Sequence, residues 1–406
     1  MTWPTTFTAR RSPRPASAAW PPWTPNATLT SNRTDPIELE RPFSDLDETA
    51  WNGLCPTGPF VDWRFLASAE DAGCVGDSTG WRPFPLTEFE NGDLVCAAPA
   101  WLKDHSHGEF VFDFAWANAS HQAGMAWYPK LLVAAPFNPV TGPRLLGAES
   151  RPENAFRLVR HMEERVEELG LWSAGANFCN EADAAVLREA GWLERFDWQY
   201  HWRNHGYRDF DDFLSRLRRK PRKNIRAERK RVHAEGWRFR WRDGSNLDEA
   251  ELDLVDRCYQ TTFALYGNLP SLNREFFNLA ASRFGEQFLV CIAEHGGEDL
   301  ACAVFWRDET RLYGRYWGSL VETRDVHFEA CYYQGIDYCI AEGLAWFEPG
   351  AQGEHKIRRG FLPRKTRSFH YIRHPGLREG IRRWLEAEAD FLNRRRQQLD
   401  ALDPFK

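Results

Sequence analysis

The chain has 406 residues, 19 of them Trp and 28 Phe, with a formal net charge of -6. That length exceeds one ordinary core and calls for two domains or one large α/β unit. The acidic balance excludes a surface coated for nonspecific DNA binding.

Nine cysteines lie scattered without CxxC spacing, mostly in apolar strings such as LVCIA and LACAVF. This excludes a disulfide framework or a zinc site and points to a reducing cytoplasm. No apolar run approaches the ~20 residues that span a bilayer. The N-terminus carries Arg and Ser but no apolar stretch of a secretory signal.

Residues 1–40 are rich in Pro, Thr, Ser and Arg without hydrophobic period, which predicts a disordered extension. Order is expected from Pro42, with a short helix over 60–72. Leu94–Ala98, Phe110–Ala115 and Leu131–Ala135 read as strands between turn-rich links. Apolar spacing predicts helices over 154–169 and 182–190, and Phe196–Trp202 alternates as a strand. A helix begins at Phe210, is interrupted by Pro221 and resumes at Asn224–Ala234. Trp237–Trp241 reads as a strand, followed by helices over 247–265 and 273–284. Phe288–Ala293, Leu300–Phe305 and Leu312–Trp317 then form strands joined by the tight links HGGED and RDET, an antiparallel meander. A helix over 328–341, short strands at Ala345–Phe347 and Ser368–Ile372, and a long charged helix over 376–399 complete the chain.

Three constellations carry chemistry. The first is the segment WFEPGAQGEHKIRRGFLPRK from Trp346, where Glu348, Gln352, Glu354, His355, Lys356 and Arg359 stand among Gly350, Gly353 and Gly360. Upstream of it come Arg315, Tyr316, Trp317, Glu329, Tyr332 and Gln334. Glu329 and Tyr332 share a helix face at i, i+3. Glu348, Glu354 or His355 has the chemistry of a base, with Glu329 as a further catalytic candidate. Lys356, Arg359 or a backbone N–H can hold an oxyanion or a phosphate. The second constellation is Lys103, His105, His107, Glu109 and Asp113 with Trp127, Tyr128, Lys130 and Arg144. His105 and His107 have no partner ligand at metal spacing, so no metal is expected, and Glu109 and Lys130 are read as lining a substrate groove. The third is the basic run over 216–231, in which Arg222, Lys223, Arg226, Arg229 and Lys230 are candidate phosphate ligands.

The blocks WLKDHSHGEFVFDFAWA (101–117), WYPKLLVAAPFNPVTGPRLL (127–146), LYGRYWGS (312–319), HFEACYYQGIDYCI (327–340) and the segment after Trp346 resemble the FemAB-like predicted N-acyltransferases of the GNAT superfamily. The resemblance covers about residues 45–395. It implies an α/β (α+β) fold of tandem GNAT-like domains, with mixed, largely antiparallel sheets flanked by helices. The halves would be residues 41–200 and 201–406, with the active site in the second. It also implies transfer of an acyl or aminoacyl group to an amine, with acyl-CoA or aminoacyl-tRNA as donor and a peptidoglycan precursor or small molecule as acceptor. tRNA would then be a partner, without DNA and without a membrane span. The roles that follow are Glu348 or Glu354 as base relay, Arg315 and Arg359 as anion clamps, and Tyr316, Trp317 and Tyr332 as substrate walls. Two departures qualify the match. The basic run is too short for the helical-hairpin arm of some relatives. The stretch after the meander, LVETRDVHFEAC, also lacks the Gly-rich loop by which many GNAT enzymes grip coenzyme A. The rival reading keeps the fold and the basic run but binds a wall precursor or RNA without catalysis.

Overall fold

The structure is a computed structural model describing residues 42–54, 58–351 and 353–406. The expected disorder of residues 1–40, and Cys55 and Gln352, lie outside the described residues.

Strands β1 (Trp81–Pro83), β2 (Leu86–Glu90), β3 (Asp93–Ala98), β4 (Ala100–Lys103), β5 (Lys130–Val133), β6 (Ser173–Ala176) and β7 (Leu193–Arg203) come from the first part of the chain. Strands β8 (Arg238–Asp243), β9 (Phe288–His295), β10 (Glu298–Arg307), β11 (Arg311–Ser319), β12 (Trp346–Glu348) and β13 (Leu362–Ile372) follow. Eleven of them form one sheet in the order β1-β4-β5-β6-β13-β7-β12-β11-β10-β9-β8, and β2 pairs with β3 apart from it. Only the β5–β6 and β11–β12 joins in that sheet are parallel. The fold is therefore mixed α/β with a largely antiparallel sheet, as the sequence predicts. The position where the two halves were divided, residue 200, falls inside β7.

The helices are α1 (Glu48–Gly53), α2 (Trp63–Asp71), α3 (Phe114–Gln122), α4 (Pro152–Glu168), α5 (Glu181–Glu189), α6 (Phe210–Arg216), α7 (Arg219–Ala234), α8 (Glu249–Leu265), α9 (Arg274–Phe284), α10 (Val326–Phe328), α11 (Gln334–Ala341) and α12 (Pro375–Asp400). Among the described residues no helix is long and apolar enough to cross a membrane. Their starts follow ordinary capping chemistry: Asp248 and Glu251 form a reciprocal capping box on α8, and Asn273 caps α9. Helix α8 lies close against the meander because β11 has no side chain at Gly318. A Cβ there would meet the Cys258 carbonyl oxygen at 1.9 Å.

Two sequence expectations are corrected. Phe110–Ala115 is not a strand; it turns into α3, and Phe110, Phe112 and Phe114, whose spacing imitated a strand, are exposed. Pro221 does not interrupt a helix. It sits in the first turn of α7, where its missing N–H had no acceptor in any case, and the break falls at Leu217 and Arg218.

Candidate active site

The sheet opens at one point. Parallel strands β11 and β12 are paired at Arg311–Trp346, Leu312–Phe347 and Tyr313–Glu348 and then separate. Beyond that fork β11 continues with Gly314 to Ser319 beside β10, while the chain after β12 turns away through Pro349 and Gly350. Parallel strands that part beside a helix leave backbone and side chains facing a gap. α10, a π turn over Glu329–Tyr333 and α11 run from β11 to β12; α11 packs on both strands, and the Tyr332 ring of the π turn lies 5.9 Å from Lys356 Nζ. Such turns are frequent at functional sites.

At the fork Glu348 is almost fully buried. Its Oε1 accepts from Arg311 Nη1 at 2.7 Å, and its Oε2 has no hydrogen-bond partner. Two residues on, Gly350 adopts φ 90°, a conformation that glycine allows without strain. The carbonyls of Pro349 and Gly350 accept from Lys356 Nζ at 3.0 and 2.7 Å. Lys356 is buried without a carboxylate at its head. Burial, then the neighbouring Arg315, pulls its pKa down to about 7. Arg315 places its guanidinium 5.7 Å from the Phe60 ring, and its Nε is sealed from solvent without a partner. Burial lowers its pKa as well. Among the described residues, neither of these two neighbouring cations at the fork forms an ion pair with a carboxylate, an arrangement that favours an anionic ligand.

A ring of aromatic and imidazole groups closes one side. Tyr332 OH is 3.0 Å from His355 Nε2, and His327 makes edge contacts with Trp317 at 5.5 Å and Tyr332 at 5.4 Å. Desolvation, followed by Arg359 and Lys356, lowers the His355 pKa to about 4, and burial does the same for His327. Both imidazoles are neutral at pH 7, which leaves the local charge to Lys356, Arg315 and Arg359, the last of them paired with Glu228.

The other predicted residues fall into three settings. Glu329, the first residue of the π turn, is fully buried. Its Oε1 takes Arg229 Nη2 at 3.0 Å and Gln334 Nε2 at 2.9 Å, and Arg229 also reaches Asp337 at 2.8 Å. Arg359 donates to Tyr333 OH and to both oxygens of Glu228 at 2.9 Å, and to the His355 carbonyl at 3.1 Å. Arg231 pairs with Asp325. The inner face of α7 is therefore pinned to the π turn by ion pairs. This separates Arg229 from Arg222, Lys223, Arg226 and Lys230 of the same run. Arg222 is half-buried, Lys223 and Lys230 are exposed, and Arg226 pairs with Asp211 at 2.8 Å. Glu354 is exposed and pairs with Arg395. Tyr316 faces the core, 5.0 Å edge-on to Tyr259, with its buried hydroxyl unpartnered.

Glu109 and Lys130 lie buried in the first part of the sheet, not at the fork. Lys130 Nζ bonds Glu109 at 2.8 Å and Asp113 at 2.5 Å, and Asp113 also accepts from Trp127 at 2.6 Å and Tyr128 at 2.8 Å. Burial raises the Glu109 pKa to about 7, and burial lowers that of nearby Lys103 to about 6. His105 and His107 stack edge to face at 5.0 Å, and among the described residues no group of three or more His, Cys, Asp or Glu is placed to hold a metal ion.

A cavity of about 540 Å³ is lined by His355 and Arg359 but by none of the fork residues, and Glu228, Glu354 and Asp403 also border it. The first turns of α7 (Lys220, Pro221 and Asn224), the 3-10 segment Glu354–Arg359 and the residues Ala401–Pro404 line it. Arg218, Lys220 and Arg358 bring exposed cations to it, and no described carboxylate pairs with them. In the sequence Arg218 and Lys220 stand in the basic run and Arg358 in the segment after Trp346, but the candidate phosphate ligands named from that run, Arg222 to Lys230, lie further along α7. Sequence reading passed over His201 on β7, discernible only as a polar residue in the alternating string QYHWR.

The FemAB-like family model, described as peptidoglycan biosynthesis/recognition, matches residues 42–406. The solved structure of FemX is similar at 11% identity and TM-score 0.53, over 83% of this chain and 98% of that one. L-PGS from Bacillus licheniformis is similar at 11% identity and TM-score 0.47 (79% and 96% covered), and a tandem GNAT protein from the clavulanic acid biosynthesis pathway at 12% and 0.42 (83% and 98%). No curated protein matches. The likeness to FemX is one of fold. The chain belongs to the FemAB-like family of peptidoglycan biosynthesis/recognition.

Proposed function

We propose that the protein transfers an acyl or aminoacyl group from a phosphate-bearing donor to an amine on a peptidoglycan precursor. The observation that carries this reading is the fork between β11 and β12, with Lys356 and Arg315 lacking carboxylate partners and Glu348 presenting a buried, unpartnered Oε2. Acyl transfer develops negative charge on the carbonyl oxygen, and fixed cations in a desolvated gap stabilise it.

In this reading the amine lone pair forms the new C–N bond at the acyl carbon and the carbonyl oxygen becomes the oxyanion beside Lys356 and Arg315. Glu348 Oε2 takes the proton released by the nitrogen. Collapse of the oxyanion breaks the bond to the leaving oxygen or sulfur, which departs with its electron pair and receives that proton. No covalent enzyme intermediate is needed. Tyr332, His355 and Trp317 form the walls. Arg218, Lys220 and Arg358 hold donor phosphates in the cavity lined by His355, and the peptidoglycan acceptor follows the family description. The missing Gly-rich loop favours a donor gripped by side-chain cations over one gripped by backbone amides. The division into halves at residues 41–200 and 201–406, with the chemistry in the second, belongs to the same proposal.

The test incubates the full chain with labelled acetyl-CoA or, separately, a charged tRNA pool, each with a nucleotide-linked muropeptide bearing a free amine. Label should enter the muropeptide from one donor and fail to do so with Lys356→Ala. Absence of transfer from either donor, with a folded protein and intact substrates, removes the catalytic reading. Retention of muropeptide by that inactive protein would then support the binding one.

A further inference from the structure

The β7–β12 pairing sets Trp346 opposite Arg203 and Phe347 opposite Trp202. The same antiparallel register brings Glu348 opposite His201. Residues in this relation share a face and touch. His201 Nε2 lies 3.9 Å from Glu348 Oε2, the carboxylate oxygen left without a hydrogen bond, and both side chains are buried.

Gln199, two residues earlier on the same face of β7, fixes the imidazole. Its Nε2 donates to the Pro139 carbonyl at 2.7 Å, which turns its Oε1 toward His201 Nε2 at 3.3 Å. An acceptor on that side requires Nε2 to carry the ring proton. The N–H of a neutral imidazole then faces the open oxygen of Glu348. The charged and titratable groups around His201 are Glu348 on β12, Arg311 on β11, Arg364 on β13 and Lys356 from the 3-10 segment. Burial lowers the pKa of His201; Glu348 opposes this, and the three cations act with burial.

We infer that His201 is a positioning residue for the transfer site: held by Gln199 in its Nε2–H tautomer, it orients the Glu348 carboxylate so that Oε2 receives the proton of the attacking amine. Arg311 holds the other oxygen, and the 3.9 Å between His201 Nε2 and Oε2 closes to a hydrogen bond in the substrate complex. The inference rests on the transfer reading, but its geometry can be read without turnover.

The full chain labelled with 15N-histidine and 13C-glutamate is examined by long-range proton–nitrogen spectroscopy, with His201→Gln locating the His201 signal. His201 is expected as the neutral Nε2–H tautomer at pH 7 and above, and its Nε2 resonance should shift in Glu348→Gln. The Nδ1–H tautomer, a doubly protonated ring at pH 7, or an Nε2 resonance indifferent to Glu348→Gln would each overturn the inference, whatever the donor proves to be. With the donor known, His201→Phe should lower kcat about tenfold or more with KM little changed and displace the acidic limb of the pH profile. His201→Gln, which retains an N–H donor near the same place, should restore most of kcat. Equal kcat for wild type and His201→Phe would also overturn it.

Discussion

Two places in this sheet bury lysine beside parallel strands, and they resolve the charge in opposite ways. At β5, which runs parallel to β6, Lys130 is gripped by Glu109 and Asp113. At the fork between β11 and β12, Lys356 rests on two carbonyl oxygens with Arg315 nearby and no carboxylate bonded to either cation. A neutralised network resists the loss of any member, whereas a buried cation without a counterion is kept at a cost to stability. The contrast separates a cluster whose charges are paired from the fork proposed above as the transfer site.

Removing one lysine at a time tests that contrast most directly. Lys130→Met leaves two carboxylates facing each other in the interior and should destabilise the protein by about 3–5 kcal/mol in denaturant titration. Lys356→Met should instead stabilise the protein, by on the order of 1 kcal/mol in the same denaturant titration, while abolishing transfer. A drop in stability for both variants would erase the distinction. At the fork, Arg315→Ala should cut kcat about 10²–10³-fold if it faces the developing oxyanion, measured by label transfer under saturating donor.

Titration sharpens the same comparison. The folded pKa of Lys356, about 7, lies below its ordinary 10.5. Between these values the unfolded chain holds a proton that the folded protein lacks, so this group makes stability rise with pH across that window. The penalty is full below pH 7. The stability advantage of Lys356→Met should therefore be largest below pH 7 and shrink toward pH 10.5, as melting curves across that range will show. Donor KM should rise above pH 7 as the free enzyme loses the ammonium. The smallest effect belongs to Glu354→Gln: its exposed pair with Arg395 contributes less than about 1 kcal/mol, and if Glu348 is the base, kcat should hardly move.

Much of this was legible in the sequence because it depends on short-range pattern. The meander Phe288–Ser319 shows as alternating strands with tight links, and helices α8, α9 and α12 show in their apolar spacing. The crowd of Glu348, His355, Lys356 and Arg359 among glycines marked the fork region. What could not be read depends on partners far along the chain. Arg229 and Arg231 looked like members of a uniform cationic face, yet Glu329, Asp337 and Asp325, about a hundred residues later, claim them. Glu109 and Lys130 looked like groove residues until their mutual burial was seen. His201 gains meaning only from the register of β7 against β12. Phe110, Phe112 and Phe114 misled because period-two spacing reports which residues alternate, not whether a neighbouring strand is there to pair with them.

The placement of β13 has a consequence for how the molecule is made. This strand, among the last to be synthesised, lies between β6 and β7, bonded to both. As the chain leaves the ribosome, β6 and β7 have no hydrogen-bonded neighbour for those edges until residue 372 has emerged. The nascent protein thus carries two unpaired strand edges from the emergence of Arg203 until that of Ile372, and closing the sheet is a long-range event.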